Sequence, residues 1–202
     1  MKRVLVFTGA FNPPTNAHLG VAELAFRATG REGVVFVPSR ADYIRKEQGK
    51  DMAYSNAERL ALLRTLVESR PWMRISDWEM RQQTQPRTYR TLCHLRDEGY
   101  LPSLLIGSDK LRELSTAWQF VPEIIREFGI VCLTRGEDDC EKIIREDSLL
   151  RTLAEGIETV ETPETWRGIS SSGVRSVLRQ IGELEAELNR MVPEEIRPML
   201  HT

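Results

Sequence analysis

Two short stretches hold residue types that can grip an anion. GAFNPPTNAHLG, residues 9–20, sets a glycine, two prolines, two asparagines and a histidine directly after an apolar run. Gly9 lets backbone come close to a ligand, Pro13 and Pro14 stiffen the turn, and Thr15 or Asn16 can cap the helix that follows. His18 then falls in the first helical turn, where N–H groups without helical partners and the helix dipole favour an anion and an imidazole can donate one more hydrogen bond. The second stretch, GISSSGVRSVLRQI at 168–181, opens another helix with a run of hydroxyls and puts Arg175 in its first or second turn. Taken singly, a histidine suits a structural hydrogen bond and a serine run suits an ordinary N-cap. Two such helix starts, near opposite ends of one chain, point instead to a polyphosphate or nucleotide. Neither G-x-x-x-x-G-K-[ST] nor G-x-G-x-x-G occurs, which excludes P-loop enzymes and fingerprint dehydrogenases.

The elements that must position these residues follow from hydrophobic pattern. Short β-rich apolar runs recur at 4–7, 34–37, 73–75, 104–106, 130–133 and 157–160. Helical patterns separate them at roughly 16–29, 55–69, 88–98, 117–128 and 139–155, with another at 171–182 after the last strand. Alternation of this kind predicts an α/β fold, a doubly wound, Rossmann-like parallel sheet with helices on both faces, and places a ligand beyond the carboxyl ends of the strands. Leu19, Ala22 and Phe26 are the expected buried side of the first helix. Ser55 and Glu58 have capping-box spacing before a stripe of Leu60, Leu63 and Val67. Arg40 to Ala53, charged and glycine-containing, is expected to be the least ordered segment. Pro193 before Glu194 and Glu195 reads as the first turn of a short terminal helix.

With 202 residues, one domain across 1–202 is expected, its C-terminal part helical from about residue 170. A net charge of −2 gives no global pull toward nucleic acid or membrane, so an anion site must be built locally. Cys93, Cys132 and Cys140 are odd in number and lack C-x-x-C spacing, which argues against a disulfide framework and a zinc knuckle. Two of them sit in apolar surroundings and read as buried thiols. Residues 1–20 lack the apolar region of a signal peptide and no stretch has membrane-span length, so the expected compartment is cytoplasmic.

Across nearly its whole length the chain resembles the nicotinamide/nicotinate mononucleotide adenylyltransferases of the nucleotidyltransferase superfamily. The resemblance is carried in order by GAFNPPTNAHL, VPSRADYIRK, ISDWE, TYRTL, IGSDKL, AW, LTR and ISSSGVR. Thr15-Asn16-Ala17-His18 stands for the family's [HT]-x-G-H, with Ala17 in place of glycine, and ISSSGVR for ISSTxxR, with Ser172 in place of threonine. After Arg179 the family's usual run of glycine, serine, basic and tyrosine residues before the final V-P is replaced by Ile181 to Met191.

The resemblance implies transfer of an adenylyl group from ATP to the 5′-phosphate of a pyridine mononucleotide, with release of pyrophosphate. The nucleophile is already an anion, so positioning and charge stabilisation suffice without a general base. His18 and Arg175 are implied as the catalytic pair, helped by amides near Ser170 and Ser171 and by Mg²⁺ brought with ATP, no protein metal site being expected. Gly9, Ala10, Phe11, Thr15, Gly107, Asp109, Arg135 and Ile169 complete the implied ATP site, Asp109 taking sugar hydroxyls unless it merely caps a helix. Asn12, Arg45 or Lys46, Trp78, Thr88 and Trp118 make up the implied mononucleotide site; Trp118 either stacks on the pyridine ring or packs in the core. Expected partners are the two small substrates, without nucleic acid or membrane, and with a homo-oligomer open. Two alternatives share the motifs: phosphopantetheine adenylyltransferase, against which stand the chain's length, IGSDKL, ISDWE and Trp118, and a non-catalytic nucleotide-binding module, against which stand His18 and Arg175.

Overall fold

A computed structural model describes residues 1–47, 49, 52–134, 138–166, 169–179 and 185–200. The first half of the chain forms β1 (Lys2–Gly9), α1 (Asn16–Thr29), β2 (Val34–Pro38), α2 (Ala41–Lys46), α3 (Asn56–Glu68), β3 (Met73–Ile75), α4 (Trp78–Arg81) and α5 (Thr88–Asp97). The second half forms β4 (Tyr100–Gly107), α6 (Ser108–Ala117), α7 (Val121–Glu127), β5 (Ile130–Leu133), α8 (Cys140–Glu146), α9 (Ser148–Thr152), β6 (Ile157–Val160), α10 (Ser171–Leu178) and α11 (Glu185–Met191). A 3₁₀ turn, Glu194–Met199, follows Pro193 where a short terminal helix was expected.

The strands form one sheet in the order β3-β2-β1-β4-β5-β6, and every pairing is parallel. Strands such as β2, buried at all of Val34, Val35, Phe36 and Val37, need cover on both faces. Val4, Val6, Leu104, Ile106 and Cys132 point into a core closed by α5 to α9. Leu5, Phe36, Leu105, Val131 and Leu133 point the other way, under α1, α3, α10, α11 and the 3₁₀ turn. Cys132 and Cys140 are buried thiols with sulfurs 3.5 Å apart. Among the described residues no helix is long and apolar enough to cross a membrane.

All six expected strands form, and several helices depart from expectation. β4 runs straight into α6, which the 117–128 pattern overlooked; α7 starts only after Phe120, whose φ of 62° interrupts the helix. The pattern at 139–155 is cut by Asp147, whose carboxylate accepts from the amides of Leu149 and Leu150 at 2.9 Å each and starts α9. The segment expected to be least ordered carries α2, held by buried Ile44 and by the Ala41 amide donating to Asn56 Oδ1 at 2.9 Å. The Ser55–Glu58 capping box forms. The face of α3 turned to the core is Arg59, Leu62, Leu63 and Leu66 rather than the Leu60-Leu63-Val67 stripe. On α1, Ala25 is buried and Phe26 instead stacks on Trp72 at 5.4 Å.

Candidate active site

α1 leaves β1 on one face and α6 leaves β4 on the other, so a crevice opens where the strand order reverses. There lies a cleft of about 1240 Å³. Thr15 caps α1, and the residue that reciprocates three positions on is His18, where a glutamate or glutamine is usual. The Thr15 amide donates to His18 Nδ1 at 3.1 Å, and the Thr15 hydroxyl lies 2.7 Å from the same nitrogen while accepting from the His18 amide at 3.3 Å. A backbone N–H can only donate, so Nδ1 accepts and the neutral ring carries its proton on Nε2. That makes Nε2 a hydrogen-bond donor on a residue lining the cleft.

The ring is braced by Phe11, edge-on at 5.2 Å, which itself sits against Phe7 and Phe36. Phe11 adopts a left-handed φ of 45° and is only 1% exposed, so its packing holds a backbone conformation that non-glycine residues avoid. A Cβ on Gly9 would come within 3.2 Å of the Phe11 ring, which gives Gly9 an internal reason in addition to the ligand approach expected of it.

The second helix start meets the first loop across 163 residues of sequence: Arg175 Nη1 donates to the Asn12 carbonyl at 2.8 Å, and Ser171 Oγ to the Pro13 carbonyl at 2.7 Å. Ser170 caps α10 by accepting from the Gly173 amide at 3.1 Å, and Arg175 Nη2 reaches Ser172 Oγ at 3.1 Å. Ala10, Thr15 and Ile169 line the same cleft, as do Gly9 and Phe11. Asn12 lines it too, its side-chain oxygen accepting from the Tyr54 amide at 3.0 Å. Of the replaced segment, 181–184 fall outside the described residues, and α11 packs back on α1, where Asn16 Nδ2 donates to the Arg190 carbonyl at 2.9 Å.

On the opposite wall Gly107 ends β4 as the N-cap residue of α6, and Asp109 is the second residue of that helix, within its first turn. Both line the cleft, together with Thr88, the first residue of α5, and Trp118, which also packs on the core. Trp78 does not line it; its ring stacks on His94 at 4.5 Å. Arg45 and Lys46 end α2 and are exposed beside the lining residues Tyr43, Ile44 and Glu47. Arg135 lies outside the described residues.

Sequence reasoning gave no role to several residues in or beside the cleft, although Glu79 closes the ISDWE stretch. Glu79 is buried, accepting from Thr91 Oγ1 at 2.6 Å and Gln85 Nε2 at 2.5 Å; burial pushes its carboxyl above the usual range, against the pull of Thr91, Gln85 and Ser39. Asp138 is held below that range by the Arg112 guanidinium and the Ser108 hydroxyl, tying the loop after β5 to the start of α6. Trp166 covers α1 at Gly20, where any Cβ would overlap the indole. Arg59, behind the wall, bonds the carbonyls of Ala10 and Ser39. Nothing in the sequence set it apart from the arginines read as ordinary surface.

The cytidylyltransferase-like family model matches residues 6–177. The nicotinamide/nicotinic acid mononucleotide adenylyltransferase of Oryza sativa subsp. japonica is 32% identical over 193 residues, covering 88% of this chain and 76% of the relative. A probable nicotinate-nucleotide adenylyltransferase of Caldicellulosiruptor bescii is 25% identical over 195 residues, 96% of each chain. Among solved structures, Plasmodium falciparum nicotinic acid mononucleotide adenylyltransferase complexed with APC shares the fold, with a TM-score of 0.74 at 15% identity over 98% of this chain and 96% of that one. Matched in sequence from β1 to α10 and sharing its fold with that solved structure, the chain belongs to the cytidylyltransferase-like family, in its nicotinamide/nicotinate mononucleotide adenylyltransferase branch.

Proposed function

We propose that this nucleotidyltransferase joins ATP to nicotinate or nicotinamide mononucleotide, giving the dinucleotide and pyrophosphate, as a step of NAD biosynthesis. The reading is carried by one observation: the donor nitrogen of His18 and the tethered guanidinium of Arg175 belong to two helix starts that meet at one strand-end cleft. A mononucleotide phosphate oxygen attacks the α-phosphorus of ATP while the bond from that phosphorus to the pyrophosphate oxygen breaks. Both reactants are anions, so the chain's task is to bring like charges together and to neutralise charge growing on the leaving group. The α1 and α10 amides, His18 Nε2–H and Arg175 suit that task. Asp109, acceptor-only when ionised, suits sugar hydroxyls, and Trp118 and Thr88 suit the pyridine end.

Among the described residues no group of three or more His, Cys, Asp or Glu side chains is placed to hold a metal. Mg²⁺ fits here as the ion of the triphosphate, held by phosphate oxygens and water, and supplies further charge neutralisation. The test is to incubate the protein with ATP and each of three acceptors: nicotinate mononucleotide, nicotinamide mononucleotide and phosphopantetheine. One pyrophosphate per dinucleotide with a pyridine mononucleotide is expected; turnover of phosphopantetheine alone would defeat the assignment.

A further inference from the structure

Arg59 is fully buried on α3, and among the described residues its guanidinium makes three hydrogen bonds, none to a carboxylate: Nη1 to the Ala10 carbonyl at 2.6 Å, Nη2 to the Ser39 carbonyl and to Asn56 Oδ1 at 2.7 Å each. Its Nε has no partner. Burial pushes its pKa down to about 10. A buried, unpaired charge is costly, and an apolar side chain of similar volume would commonly serve stability as well or better. The three acceptors explain what the charge is kept for. Ala10 is in the loop that leads to His18, and Ser39 follows β2, where its amide also donates to the Gly9 carbonyl at 2.9 Å. From the next residue, the Arg40 amide donates to Gln85 Oε1 at 3.0 Å, and Gln85 Nε2 bonds Glu79 on the mononucleotide side.

We propose that Arg59 is a positioning residue for adenylyl transfer: its forked guanidinium clamps the phosphate loop to the end of β2, fixing the spacing between the ATP and mononucleotide walls and setting a positive charge behind the loop. This rests on the adenylyltransferase reading above. A lysine keeps the charge but its single nitrogen cannot reproduce the planar fork that serves both carbonyls; a methionine removes charge and fork together.

The test compares Arg59→Lys, Arg59→Met and Leu66→Ala, the last emptying the same helix face away from the cleft, by kcat, both KM values and urea midpoint. The lysine variant should lose at least tenfold in kcat with KM for ATP within threefold of the wild type. The methionine variant should show that loss with KM for ATP raised about tenfold as well. Leu66→Ala should be destabilised yet keep kcat within twofold. Arg59→Lys with kcat within threefold of wild type, or failing to fold, would assign Arg59 to stability alone and overturn the proposal. A folded wild type that makes no dinucleotide would instead defeat the reading on which it rests.

Discussion

Thr15 and His18 divide one imidazole between structure and chemistry, with Nδ1 closing the cap of α1 and Nε2 carrying the proton. Replacing His18 by Ala therefore removes two things. Loss of an oriented donor to developing charge costs about 10²–10³ in rate, and loss of a cap interaction costs about 1 kcal/mol of stability. Steady-state kcat beside urea unfolding separates them, and a variant that lost stability but kept its kcat would take the imidazole out of the reaction. Thr15→Ala is the sharper test. It leaves the imidazole in place but removes the hydroxyl against Nδ1, so kcat should fall along with the cap energy although the ring itself remains. At this scale sequence reads types better than partners. The histidine, the serines and Arg175 were legible because helix starts have a chemical signature, whereas Arg59, identical in kind to many surface arginines, is distinguished only by the carbonyls that the fold brings to it.

Elements built on apolar periodicity were legible because burial on two faces imposes continuous hydrophobic runs, as in Val34–Pro38. Those set by a single polar contact were not. Asp147 ends one helical pattern and starts α9, accepting from two amides at 2.9 Å and from the Ser115 hydroxyl, which chiefly holds its carboxyl below the usual range. Asp147→Ala should cost about 1–2 kcal/mol. A depressed folded pKa gives stability that is present above the ordinary carboxylate range and lost as pH falls through the folded value, so the gap between wild type and variant should close on acidification. A gap independent of pH would show that the neutral acid caps as well as the carboxylate. Gly20 tests the connection from α1 to the 3₁₀ turn Glu164–Trp166 that precedes α10. Gly20→Ala must displace the indole, with an overpacking cost of about 1–3 kcal/mol. Because Trp166 lines the cleft, KM for ATP should rise while KM for the mononucleotide holds. Equal KM values in variant and wild type would make Trp166 a packing residue only.

Over the whole molecule, the two halves of the chain meet along the β1–β4 seam, and the cleft draws walls from both. The parallel sheet and its crevice followed from the βα alternation, but the network joining the walls did not, since the hydrogen-bond partners of Glu79, Gln85 and Thr91 are chosen by the fold and leave no mark on periodicity. Glu79 is the acid on which that network converges, and it gives the molecule a pH dependence opposite to that of Asp147. Burial raises its folded pKa above the ordinary carboxylate range, so the folded state holds a proton that the unfolded chain releases. Its stabilising contribution is complete below the unfolded value and is lost as pH rises through the folded one. Glu79→Gln cannot titrate. Subtracting the unfolding free energy of Glu79→Gln from that of wild type, by urea titration in steps upward from about pH 4, should give a difference that declines with pH and then levels. A flat difference would mean that the three donors around Glu79 offset its burial in full, and a rising one that they exceed it.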